Sequence, residues 1–133
     1  MSINKNVRLA LKGFEAFNRQ DKDALMELFA DNFTYDSVTR YKLDKEGYLK
    51  FLNVMYTTFP DIKLHVDRII SQGNTVVAET TITGTHKKEY LGIPATGKSI
   101  KLPAVYIFDL EAGKVKLTKY YANLQSLLEQ LRE

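Results

Sequence analysis

The chain changes its hydrophobic period once, near Asp61, from helical to strand-like. Before that point Val7, Ala10, Leu11, Phe14 and Phe17 recur at three- and four-residue spacing, the single apolar stripe of a helix lying on a core. Asn18-Arg19-Gln20 breaks the stripe, and Asp21 is placed to cap a short second helix that buries Leu25, Leu28 and Phe29. A third helix is expected from about Asp44, presenting Tyr48, Phe51, Leu52, Met55 and Phe59. Pro60 ends it, because its ring pushes Phe59 out of the helical region. Between the second and third helices, Phe33–Val38 is aromatic and β-branched enough to form a strand.

Beyond Asp61 the period is two. Ile62, Leu64, Val66 and Ile70 share a phase that Arg68 interrupts, so a β-bulge is expected there. The turn Gln72-Gly73-Asn74 leads to Thr75–Gly84, with Val76, Ala78 and Ile82 on one face. Lys98–Glu111 sets Ile100, Leu102, Ala104, Tyr106, Phe108 and Leu110 on one face. Pro103 lies on the other, which predicts an edge position or a bulge. In the last strand Val115, Leu117, Tyr121 and Asn123 share a phase, and Leu124, Leu127, Leu128 and Leu131 form a brief closing helix. Helices followed by long strands imply an α+β fold. We expect a cone-shaped curved antiparallel sheet packed against three N-terminal helices, with a short C-terminal helix, as one domain over residues 1–133. Such a sheet leaves a concave space suited to a ligand.

Composition narrows the chemistry. The 133 residues, 44% of them hydrophobic, supply one core without a staple. The absence of cysteine excludes disulfides, thiolate catalysis and Cys-based zinc sites. His65 and His86 are far apart in sequence and form no metal-ligand cluster, so neither metal nor cofactor is expected. No stretch approaches the roughly 20 apolar residues that span a bilayer, and the first residues lack a signal-peptide run. A cytoplasmic location without membrane attachment is the expectation. The net charge is +3, and Gly84–Lys119 alone carries seven lysines against three acids, or +4. That segment reads as a solvated outer sheet face. Without interleaved aromatic and basic residues, nucleic acid is not an expected partner.

Several motifs occur in a telling order. Phe59-Pro60-Asp61 precedes a strand pair ending in Gly84-Thr85-His86; Gly92-Ile93-Pro94-Ala95-Thr96-Gly97 follows, and Leu127–Leu131 reads Leu-Leu-x-Gln-Leu. From the first helix to Leu131 this order resembles the SnoaL-like polyketide cyclases, or ester cyclases, a branch of the nuclear-transport-factor-2-like superfamily. Ala95 stands where the family usually has a second proline. The resemblance implies a cone-shaped α+β barrel, a deep apolar pocket between helices and sheet, and a homodimer joined through the outer sheet face. Val105 and Ile107, on the outward phase of a long strand, suit such a covered surface. It also implies intramolecular aldol ring closure without metal or cofactor, with an aspartate just ahead of the C-terminal helix as general acid and base.

Counting back seven residues from Gln130 places that aspartate's position at Asn123. The related ketosteroid isomerases carry a base in the strand after the second helix. Aligning Ala30-Asp31-Asn32 with their acidic turn puts that position at Ser37, with Asp36 one step away. By phase, Asn123 and Ser37 face inward and Asp36 faces out, which leaves the pocket without a titrating carboxylate. A register shift of one residue would turn Asp36 inward. His86 either reaches the pocket mouth as a proton-transfer group or shapes its loop. Tyr35, Tyr56, Tyr106 and Tyr121 either offer hydroxyls to a ligand or satisfy them within the core. The catalytic candidates are therefore Asn123, His86 and Asp36. The expected ligand contacts are Tyr35, Ser37, Tyr56, His86, Tyr106, Tyr121 and Asn123.

Three functions fit these residues. One is a cofactor-free cyclase- or isomerase-type enzyme acting on a small apolar molecule of polyketide or steroid type. Another is a non-catalytic carrier or sensor using the same pocket, and the third is a dimeric protein-interaction module.

Overall fold

The computed structural model describes residues 4–38 and 40–132; positions 1–3, 39 and 133 of the expected domain lie outside that description. The elements run α1 (Lys5–Arg19), α2 (Lys22–Glu27), β1 (Phe29–Ser37), β2 (Tyr41–Asp44), α3 (Lys45–Thr58), β3 (Lys63–Gln72), β4 (Thr75–Thr85), β5 (Ser99–Glu111), β6 (Lys114–Ala122) and α4 (Leu124–Arg132). Several helix ends have a local cause. Gln20 closes α1 in the left-handed conformation at φ 59°, and Asp21 and Asp44 cap α2 and α3 by accepting from Ala24 and Gly47 N–H. Phe59, preceding Pro60, ends α3 at φ −126°. Phe29 belongs to β1 rather than to α2, and β2 is an element that the hydrophobic pattern did not announce.

Six strands form one open, curved sheet in the order β2-β1-β6-β5-β4-β3. Four junctions are antiparallel, as expected; β1 and β6 run parallel, so the sheet is mixed. The parallel pair brings the N-terminal half of the chain against its last strand and completes the concave face under the helices. Phe14, Phe17, Leu52, Met55 and Phe59 descend from α1 and α3 onto Val76, Ala78, Leu102 and Tyr106 in one continuous core.

Two bulges decide which side chains face that core. Between Val66 and Arg68 the β3–β4 register slips, leaving Asp67 unpaired. Beyond it the phase inverts, so Ile69 turns toward the core and Ile70 is exposed, contrary to its expected grouping with Ile62 and Leu64. The second slip lies between Asp109 and Leu110, which pair with Leu117 and Val115 and leave Lys116 extra. From there Thr118, Tyr120 and Ala122 turn inward while Lys119 and Tyr121 turn outward.

Side-chain amides finish the sheet where strands do not. Gln130 of α4 accepts from Lys101 N–H at 2.8 Å and donates to Lys101 C=O at 2.9 Å, imitating a neighbouring strand. The last β5–β6 partners are Ala104 and Ala122, so this part of β5 is otherwise an open edge. Pro103 lies two residues from Lys101 and faces the same side by alternation; lacking an N–H, it leaves no orphan donor there. Asn18 does the same for β3, bonding Leu64 N–H at 2.8 Å and Leu64 C=O at 3.0 Å.

Candidate functional site

A cavity of about 80 Å³ opens between α3, α4 and the concave sheet face. Phe51, Met55 and Phe59 come from α3 and its end, Ile82 from β4, Ile100 and Leu102 from β5, and Leu124 and Leu127 from α4. Ser37, Arg40, Tyr41, Tyr90 and Tyr120 are the polar residues on this wall. An inner extension of about 50 Å³ shares Phe51, Met55, Ile62, Ile82 and Tyr120 and adds Tyr35, Tyr48 and Tyr106. Six phenols thus line the space from mouth to floor. Their rings form a wall: Tyr35 lies 4.7 Å from Tyr48 and 6.2 Å from Tyr120, and Tyr106 lies 5.2 Å from Tyr120, all centroid to centroid.

The electrostatics of the space follow from this composition. Burial pushes the hydroxyls of Tyr35, Tyr48, Tyr106 and Tyr120 above the ordinary phenol value, and neighbouring phenols push the same way. Tyr41 rises too, through burial first, with Tyr90 adding to the rise and Arg40 opposing it. These groups stay protonated at neutral pH. They can donate to a carbonyl or to an oxyanion, but none is a base. No carboxylate lines the cavity or its extension among the described residues, nor do they contain a group of three or more potential metal ligands.

The residues expected at the site are distributed unevenly. Ser37 is buried and lines the cavity, and Tyr35 and Tyr106 line the extension. Asp36 faces the outer side of the sheet among Lys42, Lys116 and Lys119. The expectation that Asn123 and Tyr121 point inward is corrected, because the bulge at Lys116 inverts their phase. Tyr121 is 40% exposed. Asn123 is exposed and caps α4, its Oδ1 accepting from Ser126 N–H at 3.1 Å. Asn123→Ala should therefore cost about 1 kcal/mol of stability, as lost N-caps do, and leave ligand affinity unchanged. Urea denaturation and a binding titration check the two halves of that expectation. Tyr56 belongs to the core, donating its hydroxyl to Phe17 C=O at 2.8 Å.

His86 is fully buried but does not line the cavity. Its Nδ1 accepts from Thr96 N–H at 3.2 Å and lies 3.0 Å from the Thr96 hydroxyl, while its backbone pairs with Lys98 and Gly97. That acceptor role puts the ring proton on Nε2, which is buried without a partner. The sequence motifs interlock around it. Asp61 accepts from both the N–H and the hydroxyl of Thr85 at 2.7 Å. Phe59 packs on Gly84, where an added Cβ would stand 3.2 Å from Phe59 Cβ. Phe-Pro-Asp, Gly-Thr-His and the loop to Gly97 are one structural lock behind the cavity.

The Thr85 hydroxyl bond holds the Asp61 carboxyl below its usual value of 3.8. A depressed carboxyl stabilises the fold above the unfolded-state value and loses that contribution as pH falls through the folded-state value. Asp61→Asn should thus be less stable than the natural protein at pH 7, with the gap closing below about pH 4. Denaturation midpoints measured at pH 7 and at about pH 2, below the ordinary carboxylate range, provide the check.

Sequence reasoning missed Arg40, Tyr41, Tyr48, Tyr90 and Tyr120. A signal for Tyr120 was present: Lys116 and Lys119 both seek solvent, yet their odd spacing in one strand requires a phase change between them.

A helical layer over an open, curved sheet with an apolar space between them is the architecture of the nuclear-transport-factor-2-like class of domains. Residues 8–131 match the SnoaL-like polyketide cyclase family, and the chain belongs to that family. Among solved structures it is similar to a candidate polyketide cyclase of Xanthomonas campestris pv. campestris, at 25% identity and TM-score 0.90 with 96% of each chain covered. It is also similar to AclR of Streptomyces galilaeus, a candidate hydroxylase, at 24% identity and TM-score 0.89 with 98% of each covered. IdmH of Streptomyces antibioticus, a candidate polyketide cyclase, shares 23% identity at TM-score 0.86, with 98% of this chain and 100% of that one covered. No curated protein matches the chain. No described helix is long and apolar enough to cross a membrane.

Proposed function

We propose that this protein binds a small, mostly apolar, polycyclic molecule of polyketide or steroid type, with a carbonyl or hydroxyl directed at the phenols. The observation that carries this reading is an apolar cavity lined by six tyrosines and no carboxylate. Flat rings stack favourably on an aromatic wall, and phenols without a base orient a carbonyl without moving its proton. A carrier or sensor role follows most directly. Family membership favours a second reading, a cofactor-free cyclase- or isomerase-type enzyme whose substrate supplies its own acidity.

Thermal shift with polycyclic ketones tests the binding. A ligand at 100 times its dissociation constant should stabilise the protein by about 2.7 kcal/mol, and Leu102→Trp, which fills the cavity, should remove the effect. Failure of every polycyclic ketone to raise the melting temperature would contradict the reading. The proposal includes a homodimer through the outer sheet face, supported by a cross-strand row of Ile70, Val77 and Ile107 beside the pair Val105 and Tyr121. Sedimentation equilibrium showing only monomer at high concentration would rule the dimer out.

A further inference from the structure

Arg40 gives the mouth of the cavity a charge that its interior lacks. It follows the turn leaving β1, donating its N–H to Ser37 C=O at 2.7 Å, and lines the cavity with Tyr41, Tyr90 and Tyr120. Its guanidinium stands 5.1 Å from the centroid of the Tyr41 ring. Among the described residues, no other charged side chain lines the cavity or its extension, and no carboxylate lies within ion-pair distance of Arg40. Its field reaches two phenols across the mouth, opposing the rise that burial imposes on Tyr41 and Tyr120. A guanidinium cannot be neutralised by losing its proton, and at the edge of an apolar space it is less screened than on an open surface.

We propose that the mouth is an anion-recognition subsite, so that the cavity selects apolar ligands carrying one anionic oxygen group, either a carboxylate or an ionised β-dicarbonyl. Arg40 and the phenols of Tyr41, Tyr90 and Tyr120 hold the charged oxygen, while the ring system enters the apolar interior. The inference rests on the ligand-binding reading above and adds the ligand's charge. A site that binds the anion more tightly than the neutral acid lowers the pKa of the bound ligand by the logarithm of that ratio.

Matched probes of nearly equal shape test it by calorimetric titration at pH 8 and low salt. 2-Naphthoate is compared with neutral 2-acetonaphthone, and 2-acetyl-1-tetralone, an acidic β-diketone, with neutral 2-ethyl-1-tetralone. The natural protein should bind at least one anionic probe about tenfold more tightly than its neutral partner, the scale of one charge-assisted hydrogen bond. Which probe pair shows the preference distinguishes carboxylate from enolate. Arg40→Gln should bring the ratio to about one, and Arg40→Lys should keep part of it; Arg40 is exposed, and unchanged melting temperatures verify folding. Equal affinity for both members of each pair, with the neutral probes binding, would overturn the anion subsite and leave the pocket reading intact. A preference that survives Arg40→Gln would also overturn it, and failure of all four probes would remove both readings together.

Discussion

Ser37→Asp should turn the cavity into a proton-transferring site. Ser37 is 5% exposed, ends β1 on its concave side and lines the same wall as Tyr120, its register partner on β6. A carboxylate there would face an apolar space, where burial raises its pKa toward neutrality and makes it a competent base. The phenols already present would donate to the enolate oxygen that forms as the proton leaves. Positioned acid–base catalysis contributes a factor of about 100 to 10,000. Isomerisation of a β,γ-unsaturated ketone, or aldol closure of an aromatic polyketide ester, should therefore rise by that factor over the natural protein. Asn123→Asp should give no such gain, because its carboxylate would sit on the exposed cap of α4. Activity that appears with Asn123→Asp and not with Ser37→Asp would show that the inward positions have been misassigned.

Phe59→Ala should have the largest effect on stability. The side chain is 2% exposed and joins three parts of the fold: the end of α3, Gly84 on β4, and the loop carrying Tyr90, whose ring lies 5.8 Å away. The His86 ring also packs against it at 5.7 Å. Truncating a fully buried phenylalanine costs about 3–5 kcal/mol, a large share of the 5–15 kcal/mol that holds a typical domain together. Because Phe59 also lines the cavity, the loop with Tyr90 should lose its support as well. Urea denaturation measures the loss; a cost below about 1 kcal/mol would mean that the site collapses around the smaller residue and that the lock is weaker than its packing implies.

Much of the fold was legible in the residues. The period change at Asp61, the cap at Asp21, the helix start near Asp44 and the stop at Pro60 were each readable locally, and the corresponding elements form. The parallel pairing of β1 with β6 was not legible, because it joins segments some eighty residues apart and nothing in either strand specifies its partner. The site was harder to read for a related reason. One unpaired residue at Lys116 moves every later side chain of β6 to the opposite face, so Tyr120 and Ala122 line the cavity where Tyr121 and Asn123 were expected. Arg40, Tyr41 and Tyr90 lie outside the long strands whose alternation carried the sequence reading, and only the folded chain brings them to one opening. Two of the motifs that carry the family resemblance are tied down beside the cavity by separate pairs of bonds, Asp61 with Thr85 and His86 with Thr96.

Methyl-selective NMR offers the most direct test of the account, that an apolar carbonyl ligand occupies the cavity. With isoleucine and leucine methyls labelled, titration with 2-acetonaphthone should shift Ile82, Ile100, Leu102 and Leu127, all on the cavity wall, and give intermolecular contacts to them. Ile70 and Ile107, on the outer face, should stay unmoved. Contacts confined to those outer residues, or no response at saturating ligand, would contradict it.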